Sequence, residues 1–176
     1  MNKRHILGFF DDLVRTPAFL FLCAMFLCGA AAGGLTGLRA AEGDGATALS
    51  AMLAALPAQT GKSVACALLW VVLPLLCALA RPAALLLSAV AAARGFVLAL
   101  TVAVAVGQAE GLLPLLAAGF PAVLGVSALL AACAMVWQGG ETSGRYSLRA
   151  CRGAYALCLL LAAAGALLRA GLASLL

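Results

Sequence analysis

Charge is the scarcest commodity in this sequence. Only 10% of the 176 residues are charged, there is a single histidine, and there are six acids in all. Asp11, Asp12, Glu42, Asp44, Glu110 and Glu141 all fall outside the long apolar runs. No two carboxylates can therefore meet for acid–base work inside a span, and His5, in the N-terminal tail, stands far from any serine or cysteine nucleophile. The chain reads as non-enzymatic. Close cysteine pairs are missing too. Cys23, Cys28, Cys66, Cys77, Cys133 and Cys158 lie within apolar runs and Cys151 opens the last of them, none in a CxxC pair. They read as free thiols acting as small hydrophobes, with no disulfide framework, zinc site or cofactor implied. The net charge of +5 comes from basic residues scattered along the chain rather than gathered in a patch, which argues against nucleic acid.

What abounds is hydrocarbon. Hydrophobic residues make up 66% of the chain and the mean hydropathy is +1.16. A water-soluble domain of this length cannot hide so much apolar surface, whereas a bilayer removes the need. A helix needs about 20 apolar residues to cross about 30 Å of hydrocarbon. Runs of that kind stand at about 17–38, 64–80, 82–107, 112–137 and 153–176, preceded by a tail over 1–16. The Ala- and Leu-rich texture excludes a transmembrane barrel, which alternates polar and apolar residues. The expected fold is all-α: a single polytopic transmembrane bundle of about five spans over 1–176. The first run is too long for a signal-peptide core, its leader carries Asp11 and Asp12, and Leu38-Arg39-Ala40-Ala41 is a poor cleavage site, so it reads as an uncleaved span.

Basic residues then set the orientation. With a cytoplasmic N-terminus, Lys3, Arg4, Arg15, Arg81, Arg145, Arg149 and Arg152 lie inside, and Arg39, Lys62 and Arg169 lie outside. That asymmetry fits the positive-inside rule and places the C-terminus outside. In the tail, Phe9, Phe10, Leu13 and Val14 allow either a short helix along the membrane surface or a simple polar leader.

Several features stand out from the apolar background. Gly29, Gly33 and Gly37 fall four apart on one helix face, the GxxxG-type groove through which two backbones approach. Internal packing is the preferred reading, and a contact in a homo-oligomer is the alternative. Between the first two spans, Leu49, Met52, Leu53 and Leu56 recur at helical spacing, with Asp44 as cap and Pro57 as stop. They predict a short amphipathic extracytoplasmic helix, flat on the interface or docking a partner. Pro74 breaks the hydrogen-bond ladder of the second span and frees the Trp70 carbonyl. Pro114 and Pro121 predict a bend in the fourth, near Ala117. Arg94 is the outlier. Near the middle of the third span it costs about 2.5–3.5 kcal/mol on insertion scales. It is expected either to snorkel to the cytoplasmic surface or to find a buried partner, for which the Trp70 carbonyl is the candidate.

Around that arginine the text becomes familiar. Arg94-Gly95-Phe96 in mid-span, Thr101 shortly after, Gly111 in the outer turn and then Phe120-Pro121 resemble the stage II sporulation protein M family of multi-pass membrane proteins. The layout is similar as well: about five spans, a short N-terminal tail and an outer amphipathic segment after the first span. The chain departs from the family pattern at Ala99, where a second glycine is frequent, and at Leu100, where phenylalanine is. The resemblance implies a cell-membrane scaffold that gathers peptidoglycan hydrolases or other membrane proteins during spore engulfment, the hydrolysis belonging to those partners. A small permease or channel component is the competing class, motivated by Arg94 at depth and by the proline breaks.

Overall fold

A computed structural model describes residues 12–41, 60–78, 82–108, 112–141 and 151–173. Within them the chain is all-helical: α1 Pro17–Ala41, α2 Thr60–Cys77, α3 Ala83–Gln108, α4 Leu112–Glu141 and α5 Arg152–Ala173. Local chemistry sets the starts. Pro17 opens α1, where its fixed φ is helical already and its missing N–H is not needed. The Thr16 carbonyl accepts the first helical bond from Leu20 N at 3.2 Å, and Thr16 Oγ1 donates back to the Leu13 carbonyl at 2.6 Å. That turn draws Leu13 into the core, fully buried, so Leu13 is a packing residue rather than a membrane-surface one. In α5, Cys151 supplies the opening carbonyl, accepting from Tyr155 N at 2.9 Å.

Two pairs of helices flank a central one. α1 packs along α3, α2 packs on α5, and α4 touches all four. Its residues from Ala128 to Val136 are buried without interruption, so this helix is apolar all round and shows no polar face. The outer helices show the reverse pattern. Leu27 and Leu35 on α1 are 64% and 61% exposed, Leu85 on α3 68% and Leu160 on α5 66%. Water would not tolerate such an apolar belt, and lipid covers it. Three stretches are long and apolar enough to cross a bilayer, Pro17–Arg39, Ala83–Ala103 and Ala122–Gly139, with shorter apolar helices at Val64–Cys77 and Arg152–Leu168. The chain is a membrane protein built as a helical bundle.

Candidate functional site: the glycine seam and the Arg94 junction

The glycine face of α1 meets α3 inside the chain. A Cβ at Gly29 would lie 2.7 Å from the Ala92 carbonyl carbon and 2.9 Å from its Cα. At Gly33 it would lie 2.8 Å from Phe96 Cα, and at Gly37 2.6 Å from Ala103 Cβ. The approach is reciprocal, since a Cβ at Gly95 would stand 3.0 Å from Ala30 N on α1. At Gly29, Gly33 and Gly95 the obstructing atoms are backbone, which cannot rotate aside, so only glycine fits there. The partners advance together, from Gly29 against Ala92 to Gly33 against Phe96 and Gly37 against Ala103. The two helices therefore run parallel.

Directly beside Gly95, Arg94 turns the other way. Its position is about 16 Å along α3 from Ala83. The guanidinium carbon sits 5.2 Å from the centroid of the Trp70 ring on α2. Its Nη2 comes to 3.9 Å from the place where a Cβ on Gly125 of α4 would stand. The cation thus lies between α2 and α4, within the bundle, instead of running along α3 to the surface. Trp70 supplies the face of its ring, a group the sequence reading overlooked in favour of its carbonyl. A desolvated cation over an indole gains about 2 kcal/mol or more, which offsets much of the insertion cost. A Cβ at position 125 would make only ordinary van der Waals contact with the guanidinium.

Beside the break at Pro74, Tyr155 ties α2 to α5. The Pro74 side chain is itself buried, and Ala78 N donates to its carbonyl at 3.0 Å to close the last turn of α2. The Tyr155 hydroxyl of α5 donates to the Val71 carbonyl, one residue beyond the carbonyl that the missing proline N–H leaves free. Tyr155 was not singled out in the sequence, although a tyrosine in an Ala–Leu helix must bring its hydroxyl to an acceptor when lipid surrounds it. Tyr155→Phe is expected to lower the unfolding free energy by about 0.6–1.7 kcal/mol, measured by reversible denaturation in detergent micelles. An unchanged midpoint would mean that the Val71 carbonyl gains nothing from this bond.

The remaining candidates take quieter places. The Thr101 hydroxyl donates to the Leu98 carbonyl one turn back, at 2.7 Å, and is satisfied within its own helix. Phe96 is half-buried, with its backbone under Gly33. Pro121 falls within α4. Leu49, Met52, Leu53 and Leu56 lie outside the described residues. Cys133 and Cys158 are buried in the core, while Cys28 and Cys66 face outward. Burial pushes the Cys151 thiol, just ahead of α5, above its ordinary value. Near the start of α1 and the end of α4, Phe21 and Trp137 meet edge to face with centroids 5.7 Å apart, joining the two helices there.

No known family, curated protein or solved structure matches this chain. The interpretation of its function therefore rests on the residues and their arrangement.

Proposed function

We propose that the chain is a non-enzymatic membrane scaffold, similar in plan to stage II sporulation protein M, that recruits peptidoglycan-remodelling partners to the membrane during engulfment. One observation carries this reading. The Arg94-Gly95-Phe96 stretch, on which the resemblance rests, is used to hold helices together: Gly95 and Phe96 close the seam with α1 and Arg94 bridges toward α2 and α4. A scaffold needs such a fixed frame, and partner contacts then fall to the lipid-facing surfaces and the segments between helices. Pull-down of the tagged full-length chain from crosslinked membranes should recover cell-wall hydrolases or sporulation membrane proteins. Recovery of neither class would remove the reading.

A five-span topology belongs to the same proposal, with the N-terminus in the cytoplasm, the C-terminus outside and an amphipathic outer helix between α1 and α2. Its support is geometric. Parallel α1 and α3 require a return between them, and α2, with 18 residues, is about 27 Å long. α5 has 22 residues and reaches about 33 Å. Over their full lengths both helices reach about the 30 Å of the hydrocarbon layer, although their apolar stretches, Val64–Cys77 and Arg152–Leu168, are shorter. In a variant freed of native cysteines, Ser147→Cys should label only from the cytoplasmic side and Ala46→Cys only from outside. The opposite pattern would overturn the orientation.

A second reading, a small permease or channel component, is favoured by the placement of Arg94 within the bundle beside the proline-broken α2. Solute or ion flux in liposomes that is lost in Arg94→Ala would support transport over scaffolding.

A further inference from the structure

We propose that a cleft between α2, α4 and α5 holds an anionic glycerophospholipid, with its phosphate at Arg152 and an acyl chain along the cleft. This rests only on the chain being membrane-embedded, and not on which partners it recruits. The cleft has a volume of about 300 Å3 and is walled by Leu75 of α2, Met135 of α4 and Ala156 and Leu159 of α5. Tyr155 also lines it, but its hydroxyl is engaged by the Val71 carbonyl. The walls therefore suit hydrocarbon. An apolar cavity of about 150 Å3 already takes up benzene, so this space accommodates a longer stretch of alkyl chain.

Arg152 lines the same cleft and is exposed, placing a cation beside the apolar wall. The helix dipole does not account for it, because the start of a helix is its positive end and disfavours an added cation. An anion at that point relieves both. Apolar walls next to basic charge, at the end of a bundle immersed in lipid, match an amphiphile with a negative head. Access is from the bilayer itself, since the wall residue Ala156 is exposed on the outer face of α5.

Native mass spectrometry of the detergent-purified full-length chain, offered equal phosphatidylglycerol and phosphatidylcholine, tests this. A basic residue near an anionic headgroup is worth about 1 kcal/mol, so phosphatidylglycerol should be retained about fivefold better. Arg152→Gln should abolish the preference while leaving some retention of both lipids. Ala156→Trp, which changes an exposed position and fills the cleft, should lower retention of both. Equal retention of the two lipids by the unaltered chain, or a preference that survives Arg152→Gln, would overturn the proposal. Undiminished binding in Ala156→Trp would place the lipid elsewhere and overturn it too.

Discussion

Gly33→Ala is expected to destabilise the bundle by about 1–3 kcal/mol, whereas Gly34→Ala, one residue along the same helix, is expected to be neutral or slightly stabilising. The added methyl group is identical, so the contrast isolates packing. At Gly33 it would meet Phe96 Cα at 2.8 Å and the carbonyl carbon at 2.9 Å. Neither atom can move unless α3 itself moves, and α1 and α3 touch along most of their shared length. At Gly34 nothing lies within 4 Å of the new methyl. There the only change is the better helix propensity of alanine. Gly29→Ala and Gly95→Ala should follow Gly33→Ala, because their new atoms also meet backbone: Ala92 in one case, Phe26 and Ala30 in the other. Larger residues at these positions should leave little monodisperse protein after extraction. The measurement is a denaturation midpoint in micelles for each variant. Equal midpoints for the 33 and 34 variants would show that α1 and α3 are not interlocked in this way.

Trp70→Leu should be the more damaging change at the Arg94 junction, and its effect should shrink when Arg94 is removed as well. Truncating a packed tryptophan costs about 3–5 kcal/mol through lost contacts, of which leucine recovers part. It also removes the ring beneath the guanidinium, leaving Arg94 in a poorer environment between α2 and α4. Arg94→Met removes that charge and keeps an unbranched apolar side chain. The Trp70→Leu, Arg94→Met double variant should therefore be more stable than the sum of the single losses predicts, by about 1–2 kcal/mol. Unfolding of all four proteins in the same micelle completes the cycle. Strict additivity would mean that the ring and the cation are neighbours without energetic coupling. The cycle also bears on the proposed function, because Arg94→Met tests whether the proposed recruitment of partners would need the charge or only the frame.

The parts of the site differ in how far the sequence exposes them. The glycine face of α1 is legible because three glycines follow one another at a spacing of four, and repetition is what separates a packing groove from abundant glycine. Its partner Gly95 carries no periodic signal, and only the resemblance drew attention to it. Arg94 is conspicuous since a charge among alkyl side chains demands an explanation. The nature of that explanation is not visible, because Trp70 is 24 positions away and joins it only when α2 folds back on α3. Gly125 and Tyr155 escape notice for the same reason. Each faces a neighbour on another helix, the Arg94 guanidinium at ordinary contact distance in one case and the Val71 carbonyl as a hydrogen-bond acceptor in the other.

Composition and local periodicity determined that this chain lives in lipid, that it is helical, and roughly where its helices lie. The cause is that a bilayer core offers backbone polar groups no water, so an apolar run of sufficient length has few conformations open to it. Only the tertiary structure decided which helix is central, that α1 and α3 run in parallel with their backbones in contact, and which way Arg94 turns. Those outcomes depend on shape fitting shape between segments distant in sequence. In a chain so rich in alanine and leucine, many pairings look alike until a missing Cβ or a single aromatic ring makes one of them closer than the rest.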